Sequence, residues 1–191
     1  YTSFLEQMDY LNSSGFNTIT YYQFHQWREG NYSLPQRPII LTFDSTNKAT
    51  ITNASVILNI YGYVGVLSLE PKLVDSSPSF MNWTNIQTLR TAGWEIASHS
   101  WNHTDMRNLN YTQRQDDFNV SKKQIELNLP GYIVTTWVYP ENSQNSTLQL
   151  ECQNYYSICT GFSRLTTGDY RYNYIDSNVT TGDIWRISIR N

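Results

Sequence analysis

Gly93-Trp94-Glu95-Ile96-Ala97-Ser98-His99-Ser100-Trp101-Asn102-His103-Thr104 is the stretch on which the reading of this chain turns. Trp94, Ile96 and the residues between them read as a short buried strand, which gives way at once to a polar turn. Two of the three histidines fall in that turn. His99 and His103 are spaced so that one helical turn would bring both imidazoles to the same side. Imidazole is the commonest side-chain metal ligand, and two such rings need only a carboxylate to make a site with open positions.

Upstream, Leu34-Pro35-Gln36-Arg37-Pro38 is a rigid extended lead into Ile39-Ile40-Leu41-Thr42-Phe43. That run is apolar and β-favouring, as a buried parallel strand would be, and it ends at Asp44-Ser45-Thr46-Asn47. In α/β sheets and barrels, chemistry collects at the carboxyl ends of strands. Asp44 could instead cap a helix, but the next helix, expected over 52–61, begins too late, which favours a functional Asp44. Residues 64–69 form the next buried strand, with Glu70 as a further polar candidate at its end.

The remaining pattern alternates. Phe4, Leu5, Met8, Leu11 and Phe16 make a helical stripe closed at Gly15, and a short strand follows at 18–20. A helix at 22–29 carries His25, read as a packed or surface histidine. Val56, Ile57, Ile60 and Tyr61 give the 52–61 helix its core face. Trp83, Ile86, Leu89 and Arg90 mark a helix capped near Asn82. A polar helix at 111–129 turns Phe118, Ile125 and Leu129 inward and stops at Pro130-Gly131. A strand at 132–139 runs into Pro140-Glu141-Asn142. Leu148 and Leu150 belong to a short helix, with a strand at 155–159. After Gly161 the pattern is irregular until a last strand at 184–189. About six strand–helix alternations predict a parallel α/β architecture, open or closed into a barrel, in a single domain over residues 1–191. Asp44, Glu70, the His99 turn and the Pro140 turn then share one end of successive strands.

Composition narrows the partners. Of 191 residues, 39% are hydrophobic and only 15% charged; Asn, Ser, Thr and Tyr fill the difference, which fits a globular chain. The net charge is -3 and no basic cluster stands out, so nucleic acid is excluded as the expected partner. Fifteen tyrosines and six tryptophans suit a core or a sugar-handling surface. No membrane span is visible. The first residue is Tyr1, which suggests a processed or trimmed N-terminus. Nine Asn-x-Ser/Thr sequons, at Asn12, Asn31, Asn53, Asn82, Asn102, Asn110, Asn119, Asn145 and Asn178, lean toward an extracellular or cell-surface location. Cys152 and Cys159 permit one local disulfide or two unpaired thiols.

Leu41-Thr42-Phe43-Asp44, the Gly93–His103 stretch and Trp137-Val138-Tyr139-Pro140 together resemble the first three motifs of the polysaccharide deacetylases, the NodB-homology family of carbohydrate esterases. The leading helix, the Leu-Pro-x-x-Pro lead and Arg186-Ile187 extend the resemblance over most of the chain. It implies a distorted (β/α) barrel of about seven strands and a divalent metal, zinc first, with cobalt, nickel or manganese as alternatives. It also implies removal of N-acetyl groups from N-acetylglucosamine-containing polysaccharide. By the same resemblance Asp44 is the general base, His99 and His103 are metal ligands, and Ser45 occupies the position of the third, normally an aspartate. Glu141 supplies the oxyanion N–H, and Tyr139, Pro140 and Trp101 face substrate.

The chain departs from the family in three places. Ser45 replaces an anionic ligand with a hydroxyl, for which Asp105 is a candidate substitute. Glu141 puts a carboxylate where the family has Tyr. No histidine follows His103, so the late Leu-x-His motif, which carries the catalytic acid, is absent from these residues, either lost or lying beyond Asn191. Two functions remain open: a metal-dependent N-deacetylase, or a catalytically impaired relative that binds glycan or supports a larger surface protein.

Overall fold

The computed structural model describes residues 2–162 and 184–186, and the architecture below refers to these. Six parallel strands form one sheet in sequence order: β3 (Thr42–Asp44), β4 (Val66–Leu69), β5 (Glu95–Ser98), β6 (Thr136–Val138), β7 (Ile158–Phe162) and β8 (Ile184–Arg186). A separate parallel pair joins β1 (Asn17–Thr18) to β2 (Pro38–Ile39). Helices α1 (Thr2–Ser13), α2 (Tyr21–Arg28), α3 (Ser55–Ile60), α4 (Trp83–Thr91), α5 (Tyr111–Asn128) and α6 (Ser146–Cys152) complete a distorted (β/α) barrel. The irregular stretch expected after Gly161 and the end of the last expected strand lie outside the described residues.

Strand alternation divides the interior in two. Leu67, Leu69, Ile96, Trp137 and Tyr139 point to one face and pack with Ile57, Leu58, Ile86, Leu89, Phe118 and Ile125 from the helices. Val66, Ala97, Val138 and Ile158 point to the other and pack with Ile19, Tyr21 and Phe24. The middle strands β4, β5 and β6 are buried at every residue, as a parallel sheet covered on both faces requires. On the Ala97 face, Glu95 accepts hydrogen bonds from Tyr22 N at 2.9 Å and Thr136 Oγ1 at 2.5 Å, which ties α2 to the sheet.

Three expectations change. The apolar run at 39–43 is not one strand: Pro38–Ile39 pairs with β1 and Thr42–Asp44 with β4, so the run bridges two sheets. The 52–61 helix starts as a π-helical turn, Thr50–Ala54, before α3. Ile57 and Leu58 are then buried, whereas Val56 and Ile60 are 50% and 66% exposed, so the expected core face is rotated. Leu150 is exposed on α6, which Leu148 and Cys152 seat in the core.

Helix starts are strongly marked. Thr20, Asn82 and Asn110 form capping boxes with Gln23, Asn85 and Gln113, and Asn145 caps α6 through Leu148 N. Three of the sequon asparagines, Asn82, Asn110 and Asn145, are therefore helix caps, a folding role separate from glycosylation. Cys152 and Cys159 form a disulfide that joins α6 to β7. Arg114 makes a forked pair with Glu151 at 2.6 Å, which clips α5 to α6.

Phe118 is the hub of an aromatic cluster, with ring centroids 4.6 Å from Trp137, 5.6 Å from Tyr155 and 6.3 Å from Tyr156. It is fully buried. Phe118→Ala is expected to cost about 3–5 kcal/mol in urea unfolding, the range for a large buried aromatic. A cost below about 1 kcal/mol would mean that α5 is not seated on the sheet as described.

Candidate metal centre

Because the strands are parallel, their carboxyl ends share one edge, and the polar residues that follow them converge there. Asp44 closes β3 in register with Ser68, Glu70 and His99 immediately follow β4 and β5, and Tyr139-Pro140 follow β6. His99 N donates to Leu69 O at 2.8 Å, so the neighbouring strand fixes its backbone.

His99 is 2% exposed, and its Nδ1 lies 2.8 Å from Val138 O. A carbonyl only accepts, so Nδ1 carries the proton and Nε2 keeps the lone pair that a metal needs. Burial lowers the His99 pKa, partly opposed by the negative charges of Asp44 and Glu70 and by the Val138 bond, and lowered further by His103. The net direction keeps the ring neutral and ligand-competent.

His103 reaches the same place by a turn, not by the helix that its spacing suggested. Ser100 and His103 have φ of 65° and 62°, and Ser100 Oγ accepts Thr104 N at 2.8 Å. The two imidazoles end 5.0 Å apart, edge to face. Trp101 anchors the turn on both sides: its N donates to Asp117 Oδ1 at 2.8 Å and its O accepts Lys72 N at 3.0 Å. Six non-glycine residues among those described have positive φ, and four of them, Ser100, His103, Glu141 and Asn142, lie in the two turns at this edge. Each costs on the order of 1 kcal/mol, a concentration of strain typical of functional sites.

Glu70, His99 and His103 each present a ligand atom, all within 4.8 Å of one another. Glu70 is 5% exposed. Its Oε2 accepts Thr46 N at 2.9 Å and a short bond from Thr46 Oγ1. Neither donor is charged, and no Lys or Arg forms an ion pair with Glu70 among the described residues. A buried carboxylate facing two imidazoles in this way fits a divalent cation, and two imidazoles with one carboxylate form a known ligand set for a zinc site with open positions.

The other residues singled out from sequence fall as follows. Asp44 acts electrostatically on His99 but is outside the three-atom cluster. Ser45 Oγ accepts Asn47 N at 2.9 Å in a local turn. Asp105 is not a substitute ligand: it is held by a fork from Arg107, whose guanidinium keeps the Asp105 pKa low. Glu141 is exposed at the rim, with Oε1 3.9 Å from His103 Nδ1. Tyr139 is corrected: its ring is 1% exposed and its hydroxyl donates to Leu148 O, so it packs in the core and offers substrate no surface. Pro140 is likewise buried, and Trp101 is half-buried in the metal-side turn. His25 lies on α2, half-buried. Asp117 gave no sequence signal beyond standing next to inward-facing Phe118 on a polar helix.

Burial raises the Asp117 pKa from 3.8 to about 6, against the lowering effect of Trp101 N. Between those values the folded chain holds a proton that the unfolded chain has lost, so stability falls as pH rises through that window and levels off above it. Asp117→Asn keeps an acceptor for Trp101 N and removes the charge. Relative to wild type, its stability should gain on the order of 2 kcal/mol between pH 4 and pH 7 in urea titrations. Parallel pH curves for the two proteins would contradict this.

Residues 31–156 match the polysaccharide deacetylase family. No curated protein sequence matches significantly. Among solved structures, the Streptococcus pyogenes deacetylase PplD, in complex with acetate, aligns with a TM-score of 0.75 at 18% identity, over 82% of this chain and 70% of its own. A de-N-acetylase from Aggregatibacter actinomycetemcomitans aligns with a TM-score of 0.74 at 18% identity, over 83% and 76%. BA3943 of Bacillus anthracis, a pseudoenzyme of carbohydrate esterase family 4, aligns at 0.53 and 18%, over 60% and 39%. At these identities the structural likenesses speak to fold, and the family match covers most of the sequence. The chain belongs to the polysaccharide deacetylase family.

Proposed function

We propose that this protein is a metal-dependent hydrolase that removes N-acetyl groups from N-acetylglucosamine units of a polysaccharide. The observation that carries the reading is the pairing of His99 and His103 beside buried Glu70 at the carboxyl edge of a deacetylase-type sheet. A divalent ion bound there supplies Lewis acidity, which polarises an amide carbonyl and makes water a nucleophile near neutral pH.

The protein's own part is positional. His99 is held as the Nδ1–H tautomer by Val138 O, so its ligand nitrogen is aimed without conformational search. Asp44, at the end of β3, takes the proton of the attacking water as general base. The N–H of Glu141 is assigned to the developing oxyanion. The Glu141 carboxylate stands on the Nδ1 side of His103, where the outer partner of a ligating histidine belongs, although 3.9 Å exceeds a hydrogen bond. Trp101, half-buried in the same turn, is the aromatic surface assigned to a sugar ring.

The Cys152–Cys159 disulfide and the exposed sequon asparagines Asn12, Asn31, Asn53, Asn102, Asn110 and Asn145 support an extracellular or cell-surface setting. No helix among the described residues is long and apolar enough to cross a membrane.

A second reading has its own support. Ser45 stands where the family's anionic ligand is expected, and the fold is shared with a pseudoenzyme. Under it the domain binds glycan without turnover. Acetate release from an N-acetylated chitooligosaccharide with added zinc or cobalt, together with oligosaccharide binding, separates the two. The enzyme reading predicts release that stops with chelator and falls about 10²–10⁴-fold in Asp44→Asn, with binding retained. Binding without release would favour the second reading, and turnover indifferent to Asp44→Asn would remove Asp44 as base.

A further inference from the structure

We infer that Glu70 is the anionic ligand of the metal centre, delivered by the end of β4 in place of the residue that Ser45 does not supply, and that Thr46 is its positioning residue. The inference rests on the metal-centre reading above and names the ligand set that would make it work.

Three observations carry it. The ligand atoms of Glu70, His99 and His103 lie within 4.8 Å of one another. Ligands about 2.1 Å from a tetrahedral ion stand about 3.4 Å apart, so sub-ångström to ångström tightening closes the site. Ser45 Oγ is engaged by Asn47 N in its own turn. Glu70 is buried and, among the described residues, the donors on its Oε2 are the neutral ones of Thr46, an arrangement that leaves its charge to be balanced by a cation.

Thr46 is bound to Glu70 at more than one point. Besides the two donors on Oε2, Glu70 N donates to Thr46 Oγ1 at 3.1 Å, and Thr46 itself is 1% exposed. The β3 end thus grips the β4 carboxylate and holds its plane against the imidazoles. With Glu70 as ligand, the proton-accepting role stays with Asp44, so losing an aspartate at position 45 does not force one carboxylate to serve as both ligand and base.

Zinc binding to the purified chain, measured by competition with a chromophoric chelator, tests this independently of turnover. Wild type should bind one zinc, and Glu70→Gln should bind at least about 100-fold more weakly, since even outer partners cost 10–100-fold. Thr46→Val, which keeps the backbone donor, should weaken binding about 10-fold. Ser45→Asp placed in the Glu70→Gln background should recover most of the loss by restoring a carboxylate from the neighbouring strand. Wild-type affinity in a folded Glu70→Gln protein would overturn the inference while leaving the metal centre standing. If Glu70→Gln fails to fold by circular dichroism, Thr46→Val decides, and unchanged affinity there overturns it. A wild-type chain that binds no zinc would remove the metal-centre reading and this inference together.

Discussion

One hydrogen bond organises the candidate site: His99 Nδ1–H to Val138 O, from the end of β5 to the end of β6. It depends on the pairing of Ser98 with Trp137, the register that sets the two strand ends side by side. It fixes the tautomer, the ring plane and the direction of the lone pair together. A one-residue slip would send His99 toward the opposite face and break the bond, because side chains alternate along a strand. The burial of β5 on both faces makes that slip costly. The core and the site therefore share one constraint.

Around that bond the edge is built from short polar turns that the sheet could not hold by itself. Trp101 is clamped between the turn after β4 and helix α5, Ser100 and His103 take left-handed backbone, and the Pro140 turn repeats that strain opposite them. Such conformations persist only where surrounding contacts over-determine them. Here the hydrogen bonds of Asp117, Lys72 and Ser100 do so. Asp117 bears an electrostatic burden for it, since burial drives its pKa upward.

The convergence of Asp44, Glu70, His99 and Pro140 on one edge was legible from sequence because a parallel α/β pattern puts every strand's carboxyl end on the same side. Helix caps at Asn82 and the inward stripe Phe118, Ile125 and Leu129 were legible for the same local reasons. The core face of the 52–61 helix was not, since Val56, Ile57, Leu58, Ile60 and Tyr61 offer two apolar stripes and the π turn before α3 selects the second. The split of 39–43 between sheets was hidden because apolarity does not reveal which neighbour a strand takes. Tyr139 was misread because a residue beside a motif can project either way, and the strand's alternation turns its ring into the core. Glu70 was visible as a polar strand end, but its approach to the two imidazoles depends on Thr46, a contact between residues 24 positions apart. Asp117 looks like one more solvent-facing acid on a polar helix.

The central claim is that both imidazoles are presented together as ligands to one divalent ion. X-ray absorption spectroscopy at the zinc edge, on the zinc-loaded protein, addresses it most directly. The account predicts a four- or five-coordinate ion with two imidazole nitrogens at about 2.0–2.1 Å and oxygen completing the shell. A spectrum with no imidazole scattering, or with a single ring, would contradict it.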